Sequence, residues 1–243
     1  MDAQRDWDDL ADVDPLWAVL SAPGKRGGRW RQDEFFATGE AEIAHVLTVA
    51  QELRRPARTE LALDFGCGVG RATRALANRF TRALGLDVSP QMIELARKLN
   101  PNGEFAVHEP PRIPLGDRAA DLVYSHLVLQ HLASRDEVDH YLREFLRVAR
   151  PDGLVVFQLP DELPWRDRIQ PRRRLYAAGR TIGVPARWLY EATHLHPVSM
   201  LAVPEPEVRA TLEAAGATVA RTERPDPTGG ATGLRYYVHH HSA

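Results

Sequence analysis

The sequence predicts an α/β fold in which a parallel sheet is covered by helices on both faces, and two observations carry that reading. Apolar runs near 61–65, 82–86, 104–107, 121–125 and 153–159 alternate with amphipathic stretches near 71–79, 90–99 and 135–149. Strands that alternate with helical crossovers lie parallel in one sheet. The second observation is the turn Gly66-Cys67-Gly68-Val69-Gly70, which places glycine at every second position directly after the first run. The 243 residues are 44% hydrophobic and 26% charged, enough for one good-sized core, so one domain with elaborations is expected.

Taken in order, Leu61-Ala62-Leu63-Asp64-Phe65 is the first strand, and a helix from Arg71 follows the glycine turn. Such a turn lets backbone approach a ligand closely. Glycine takes positive φ and bares its amide N–H, and the helix adds the positive end of its dipole. Leu84-Gly85-Leu86-Asp87-Val88-Ser89 reads as the second strand ending in an acid. Ser89 then serves as N-cap and Pro90 as the first helical residue, with Met92, Ile93, Leu95, Ala96 and Leu99 on the buried face. Strands at 104–107 and 121–125, a helix at 135–149 and a fifth strand at 153–159 follow. Glu205 to Ala215 reads as an amphipathic helix ended by Gly216, Ala217–Thr222 and Leu234–His239 as two more strands, and Pro225–Gly233 as a turn-rich connection.

The spacing of the turn narrows its ligand. A dinucleotide fingerprint needs glycine at 66, 68 and 71, but residue 71 is arginine and the third glycine is at 70. Asp64 ends the strand close to where a pyrophosphate would lie. A carboxylate there suits an ammonium group, so the expected ligand is cationic and amino-acid-like, a description that S-adenosyl-L-methionine fits.

From about 61 to 160 the chain resembles a class I S-adenosylmethionine-dependent methyltransferase. The glycine turn is the first signature, and Asp87, 21 residues past Gly66, is the second. Asp121 to Ser125 with His126 to Leu132, and Arg147 to Phe157, resemble the family's fourth strand, the loop after it, and the helix, turn and fifth strand beyond. The resemblance implies a Rossmann-like, seven-stranded mixed sheet of order 3-2-1-4-5-7-6 with strand 7 antiparallel. It implies that Asp87 accepts hydrogen bonds from the two ribose hydroxyls, and that Trp30, Asp64, Gly66, Cys67, Gly68, Gly70, Val88, Met92, Pro110 and Ser125 help bind the cofactor. Where many relatives have Gly-Asp before an apolar-Pro-apolar run, this chain has His108-Glu109-Pro110-Pro111 before Ile113-Pro114-Leu115. Glu109 is assigned to the adenine amino group, with one more methylene of reach.

Two segments fall outside the common core and are expected to set substrate choice. Residues 1–55 resemble an N-terminal helical lid, ahead of a methyltransferase domain at 56–243. Trp30, Phe35 and Phe36 are read there either as lid aromatics or as helix-packing residues. Residues 161–203 are read as a cap inserted after strand five. This cap mixes Trp165, Tyr176, Trp188, Tyr190 and Met200 with arginines at 166, 168, 172, 173, 174, 180 and 187. Aromatics bury large areas at low entropy cost. The arginines would engage a substrate carboxylate or phosphate, or an acidic carrier protein, or else form a solvated helix face.

Methyl transfer from a sulfonium needs mainly alignment in a dry site, with a base only for acceptors that must lose a proton. His131 and His126 are the candidate catalytic residues, with His194 and His196 in the cap behind them; packing roles are the plainer reading. These histidines make O-methylation slightly preferred over N or C; secondary metabolism is expected, and a bacterial source, since lysine occurs only at 25 and 98 and arginine otherwise supplies the basic residues. A cyclase that exploits the sulfonium charge, or a degenerate partner protein, is the alternative. No metal is expected, because no histidine and carboxylate set has convincing spacing and His239-His240-His241 reads as a strand end. The single cysteine, Cys67, excludes an intramolecular disulfide. A net charge of −2 disfavours nucleic acid, and no run approaches a membrane span. A soluble, cytoplasmic protein acting on a small molecule is expected, with carrier-protein docking at the cap and a homodimer as open partners.

Overall fold

The computed structural model describes residues 3–164, 169–224 and 233–241. Trp165, Arg166, Arg168 and residues 225–232 of the turn-rich connection lie outside the described residues. Seven strands form one sheet in the order β3-β2-β1-β4-β5-β7-β6. These are β1 (Leu61–Phe65), β2 (Arg82–Asp87), β3 (Glu104–Val107), β4 (Ala120–Ser125), β5 (Ala149–Leu159), β6 (Ala217–Glu223) and β7 (Leu234–His240). All neighbours from β3 to β5 pair parallel, and β7 is antiparallel to both β5 and β6. The expected topology is therefore observed.

The alternation of β1 assigns its two faces. Leu61, Leu63 and Phe65 join the larger core, packed against α6 (Arg135–Val148) and α9 (Glu205–Ala214). Ala62 points the other way, into a second core with α3 (Gln32–Glu52) and α4 (Arg71–Ala77). The fifth strand begins four residues earlier than the apolar run predicts, because Ala149 already pairs with Ala120 across a register shift. Gly153 permits that approach, since a Cβ there would sit 2.8 Å from the Asp121 carbonyl oxygen. The helix after the glycine turn stops at Ala77, two residues short of the expected end.

Within residues 1–55, α3 is a long sheet-packing helix that buries Ile43, Val46, Val49 and Ala50. Only α1 (Ala3–Val13) and α2 (Pro15–Val19) arch over the carboxyl ends of the strands. Opposite them the segment after β5 contributes α7 (Pro171–Thr181) and α8 (Ala186–Thr193). Polar contacts join the two. Tyr176 Oη and Arg180 Nε each donate to Asp9 Oδ2 at 3.0 Å, and Tyr190 Oη donates to Asp14 Oδ2 at 2.8 Å. No helix among the described residues is long and apolar enough to cross a membrane.

Candidate active site

A cavity of about 530 Å³ opens at the carboxyl ends of β1, β2 and β4, within the ~300–1,000 Å³ range of small-molecule sites. Its floor is the glycine turn. Gly66 and Cys67 donate their amides to the Leu86 carbonyl at 2.7 and 2.9 Å, which ties the turn to β2. Gly66 has φ +75°, and a Cβ on it would fall 2.3 Å from Val128 Cγ2. Gly68, at φ +53°, has Val19 of α2 equally close. Only bare backbone fits between the strand end and the helices above it.

Asp87 stands at the rim of this floor. Its Oδ2 accepts from Gly68 N at 2.8 Å and its Oδ1 from Ser89 N at 2.9 Å. Each oxygen keeps a further lone-pair direction for a ligand hydroxyl. Burial raises its pKa, against the pull of those amide bonds. Ser89 caps α5 (Pro90–Leu99) by accepting from Met92 N and donates to Asp8 Oδ1 at 2.5 Å, which anchors α1 beside Asp87. Val88, Met92 and Pro110 complete this wall. A paired-acceptor carboxylate beside bare amides and flat apolar walls fits the ribose and adenine of an adenosyl cofactor.

Other predicted residues are placed elsewhere. Asp64 is buried behind the turn, where it accepts from Thr73 Oγ1 at 2.6 Å. Burial pushes its pKa up to about 6, partly offset by that bond. Cys67 is buried and burial raises its thiol pKa, so it is a packing residue. Gly70 sits at the start of α4 against Asn100 and Phe105, and Ser125 Oγ donates to the Phe65 carbonyl, tying β4 to β1. Glu109 is exposed and off the cavity wall, whereas its neighbour His108 lines it and meets Tyr141 Oη at 2.9 Å. Trp30 also lies off the wall; its indole donates to the Leu20 carbonyl and its ring packs on Phe35. The aromatic of the N-terminal segment that does line the cavity is Trp7 of α1, with Leu10 one turn on. The i, i+3, i+4 run of Trp7, Leu10 and Ala11 is the sequence signal that marked this face.

Both candidate histidines line the cavity, and His194 and His196 do not. His131 Nδ1 lies 2.6 Å from the Ser199 carbonyl, which accepts only from N–H, so Nε2 carries the lone pair and accepts from the Gln130 amide at 3.2 Å. Trp7 packs edge-on against this ring at 5.3 Å. Burial pushes the His131 pKa down to about 4. His126 falls to about 3, because burial, aided by Arg71 and Arg235, outweighs Glu42. Its Nδ1 is 3.1 Å from Glu42 Oε1 but off the line of a hydrogen bond.

These shifts give a pH prediction. The unfolded chain protonates histidine near 6.5 and the folded protein only near 4 and 3, so acid favours the unfolded state between those values. Asp64 acts in the opposite sense, since its raised folded pKa makes the folded state gain a proton near pH 6. Two histidines outweigh one aspartate. Moving from pH 7 to 5.5 should lower stability by on the order of 1 kcal/mol, read as a lower urea midpoint; a higher midpoint at pH 5.5 would refute the neutral-imidazole assignment.

Residues 63–157 match the family model described as a methyltransferase domain. Over that segment the chain is similar to S-adenosylmethionine-dependent methyltransferases. Among the curated proteins similar to this chain is a trans-aconitate 2-methyltransferase of Methylobacterium radiotolerans, 37% identical over 120 residues, covering 49% of this chain and 43% of that one. A malonyl-[acyl-carrier protein] O-methyltransferase of Serratia marcescens is 34% identical over 98 residues, covering 40% and 37%. The chain thus spans less than half the length of these relatives. The magnesium protoporphyrin IX methyltransferase of Synechocystis, solved with S-adenosylhomocysteine, shares the fold over 97% of this chain and 96% of its own, with a TM-score of 0.64 and 16% identity.

Proposed function

We propose that this methyltransferase moves the methyl of S-adenosylmethionine to an oxygen of a small organic acceptor, and that α1–α2 and residues 161–203 act as lid and cap over both ligands. The observation that carries the reading is the single cavity that holds Asp87 and the bare glycine turn together with two neutral imidazoles. When bound, the cofactor supplies a methyl already activated on its sulfonium. Asp87 binds the ribose, and Gly66 and Gly68 let backbone line the amino-acid end. Trp7, Leu10 and Val19 exclude water. An acceptor hydroxyl takes the place of the Gln130 amide, 3.2 Å from His131 Nε2, and the lone pair there orients its oxygen, a role that suits an imidazole kept neutral by burial. One relative is by name an O-methyltransferase of a carrier-bound acid. The exposed Arg172 and Arg174 on α7 would give such a carrier an anionic docking face.

The test is release of S-adenosylhomocysteine and a mass gain of one methyl in an acceptor screened from small acids and phenols. Turnover of the cofactor without a methylated product would point to the non-methylating reading. Against the acceptor found, His131→Ala should lower kcat by ~10²-fold or more if the imidazole handles the acceptor oxygen. An unchanged kcat would reduce His131 to packing against Trp7.

A further inference from the structure

We infer that Arg173 binds a carboxylate of the methyl acceptor, so that the enzyme selects carboxylic acids; this deepens the methyl-transfer reading above and rests on it. Arg173 lies on α7, half-buried, and lines the cavity. Its Nε donates to the Pro197 carbonyl at 3.2 Å. Two residues on, Ser199 accepts from His131 Nδ1 at 2.6 Å and donates its hydroxyl to the His131 carbonyl at 2.9 Å. Arg173 and His131 are therefore fixed on the same short stretch, Pro197 to Ser199. A group held by one is presented to the other.

The charge pattern singles Arg173 out. Among the described residues lining the cavity it is the one arginine or lysine, while Asp6, Asp87, Asp136 and Glu137 are acids. Asp87 is committed to two backbone amides, and Glu137 Oε2 accepts from Ala133 N in the cap of α6. The histidines at 126 and 131 are neutral. Arg180, seven residues along the same helix, shows what a structural arginine of this segment does: Nε and Nη2 both donate to Asp9, at 3.0 and 3.1 Å. The bond from Arg173 goes instead to a carbonyl and uses one of five N–H donors. A guanidinium on the cavity wall with donors left over from that bond matches a carboxylate, which arginine binds through two parallel hydrogen bonds.

The chemistry agrees with a weakly basic site. A carboxylate gripped by Arg173 has both oxygens engaged, so the methylated oxygen belongs to a second group of the acid. If that group is also a carboxylate, it enters ionised. Its oxygen takes the methyl as the C–S bond breaks, the bonding pair stays on sulfur, and an ester and a neutral thioether result with no proton moved. His131 then has only to orient.

The test uses the whole protein saturated with S-adenosylhomocysteine and follows the fluorescence of its tryptophans, which include Trp7 in the cavity. Propane-1,2,3-tricarboxylate, glutarate and benzoate are titrated alongside their amides. At least one acid should bind about 10- to 100-fold more tightly than its amide, the worth of a charge-assisted hydrogen bond. Arg173→Gln should erase that preference and Arg173→Lys should keep part of it, with S-adenosylhomocysteine affinity unchanged in both. Equal preference in wild type and Arg173→Gln, or no acid bound by the wild type, overturns the assignment. Failure of the wild type to bind S-adenosylhomocysteine overturns the methyl-transfer reading itself, which separates the two.

Discussion

Glu42→Ala should destabilise the protein by about 3–5 kcal/mol, the cost of stranding buried charge, read as a fall in urea midpoint at unchanged slope. Glu42, on α3, joins four groups from across the fold. Its Oε2 takes Arg71 Nη2 at 2.6 Å, and its Oε1 takes Arg235 Nη2 and Tyr124 Oη, both at 2.6 Å, with His126 beside them. Arg71 and Arg235 are 4% and 3% exposed. Burial alone would raise the Glu42 pKa, but His126, Arg71 and Arg235 together hold it well below the carboxylate range.

Removing the carboxylate leaves Arg71 with a 3.3 Å bond to Thr38 and Arg235 with Glu223 at 3.3 Å. Neither replaces the lost charge. Against a total stability of ~5–15 kcal/mol the loss is a large share. Glu42→Gln keeps the shape without the charge and should fall between. Breaking the exposed Lys98–Glu94 pair should leave the midpoint nearly unchanged. A Glu42→Ala variant within 1 kcal/mol of wild type, on the scale of an ordinary surface change, would show that the network contributes nothing net. Because His126 sits on this network at the cavity wall, the same substitution also removes the carboxylate beside a cavity-lining imidazole.

What the chain reveals before folding differs sharply between neighbours. The alternation of strands and helices and the place of Asp87 at the end of the second strand were readable from local signals, apolar runs between helical stretches and an acid at fixed distance from a glycine turn, whereas the strand order came only from the family resemblance. Asp64 was read as a partner for an ammonium group. Yet alternation along β1 puts residue 64 on the side of Ala62 and α4, where Thr73 meets it. Trp7 and Trp30 are both aromatics in the N-terminal segment, and only the path of α1 over the glycine turn decides that the first reaches the cavity. Glu42 looks like a solvated helix charge. Its partner Arg235 is 193 residues away, a pairing that no local pattern encodes. Arg173 is hidden for another reason, since it stands between Arg172 and Arg174, which are exposed.

Asp87→Ala should reduce affinity for S-adenosylhomocysteine by at least ~100-fold, because two charge-assisted hydrogen bonds of about 1.5–3 kcal/mol each are lost. The carboxylate does more than the proposed ribose contact asks of it. Its two oxygens also hold the amides of Gly68 and Ser89, so its loss loosens the turn that forms the cavity floor and the cap of α5. Asparagine cannot substitute, since its NH₂ group would face one of those two N–H donors and leave it unpaired. Asp87→Asn should therefore bind nearly as poorly as alanine, which a simple loss of charge would not predict. Calorimetric titration reads both directly. Thermal unfolding reads them independently, because a ligand at 100 times its Kd stabilises the fold by about 2.7 kcal/mol and the variants would forfeit that gain. Unchanged affinity in Asp87→Ala would mean that the adenosyl group lies elsewhere in the cavity, and the assignment of the second strand's acid would fall with it.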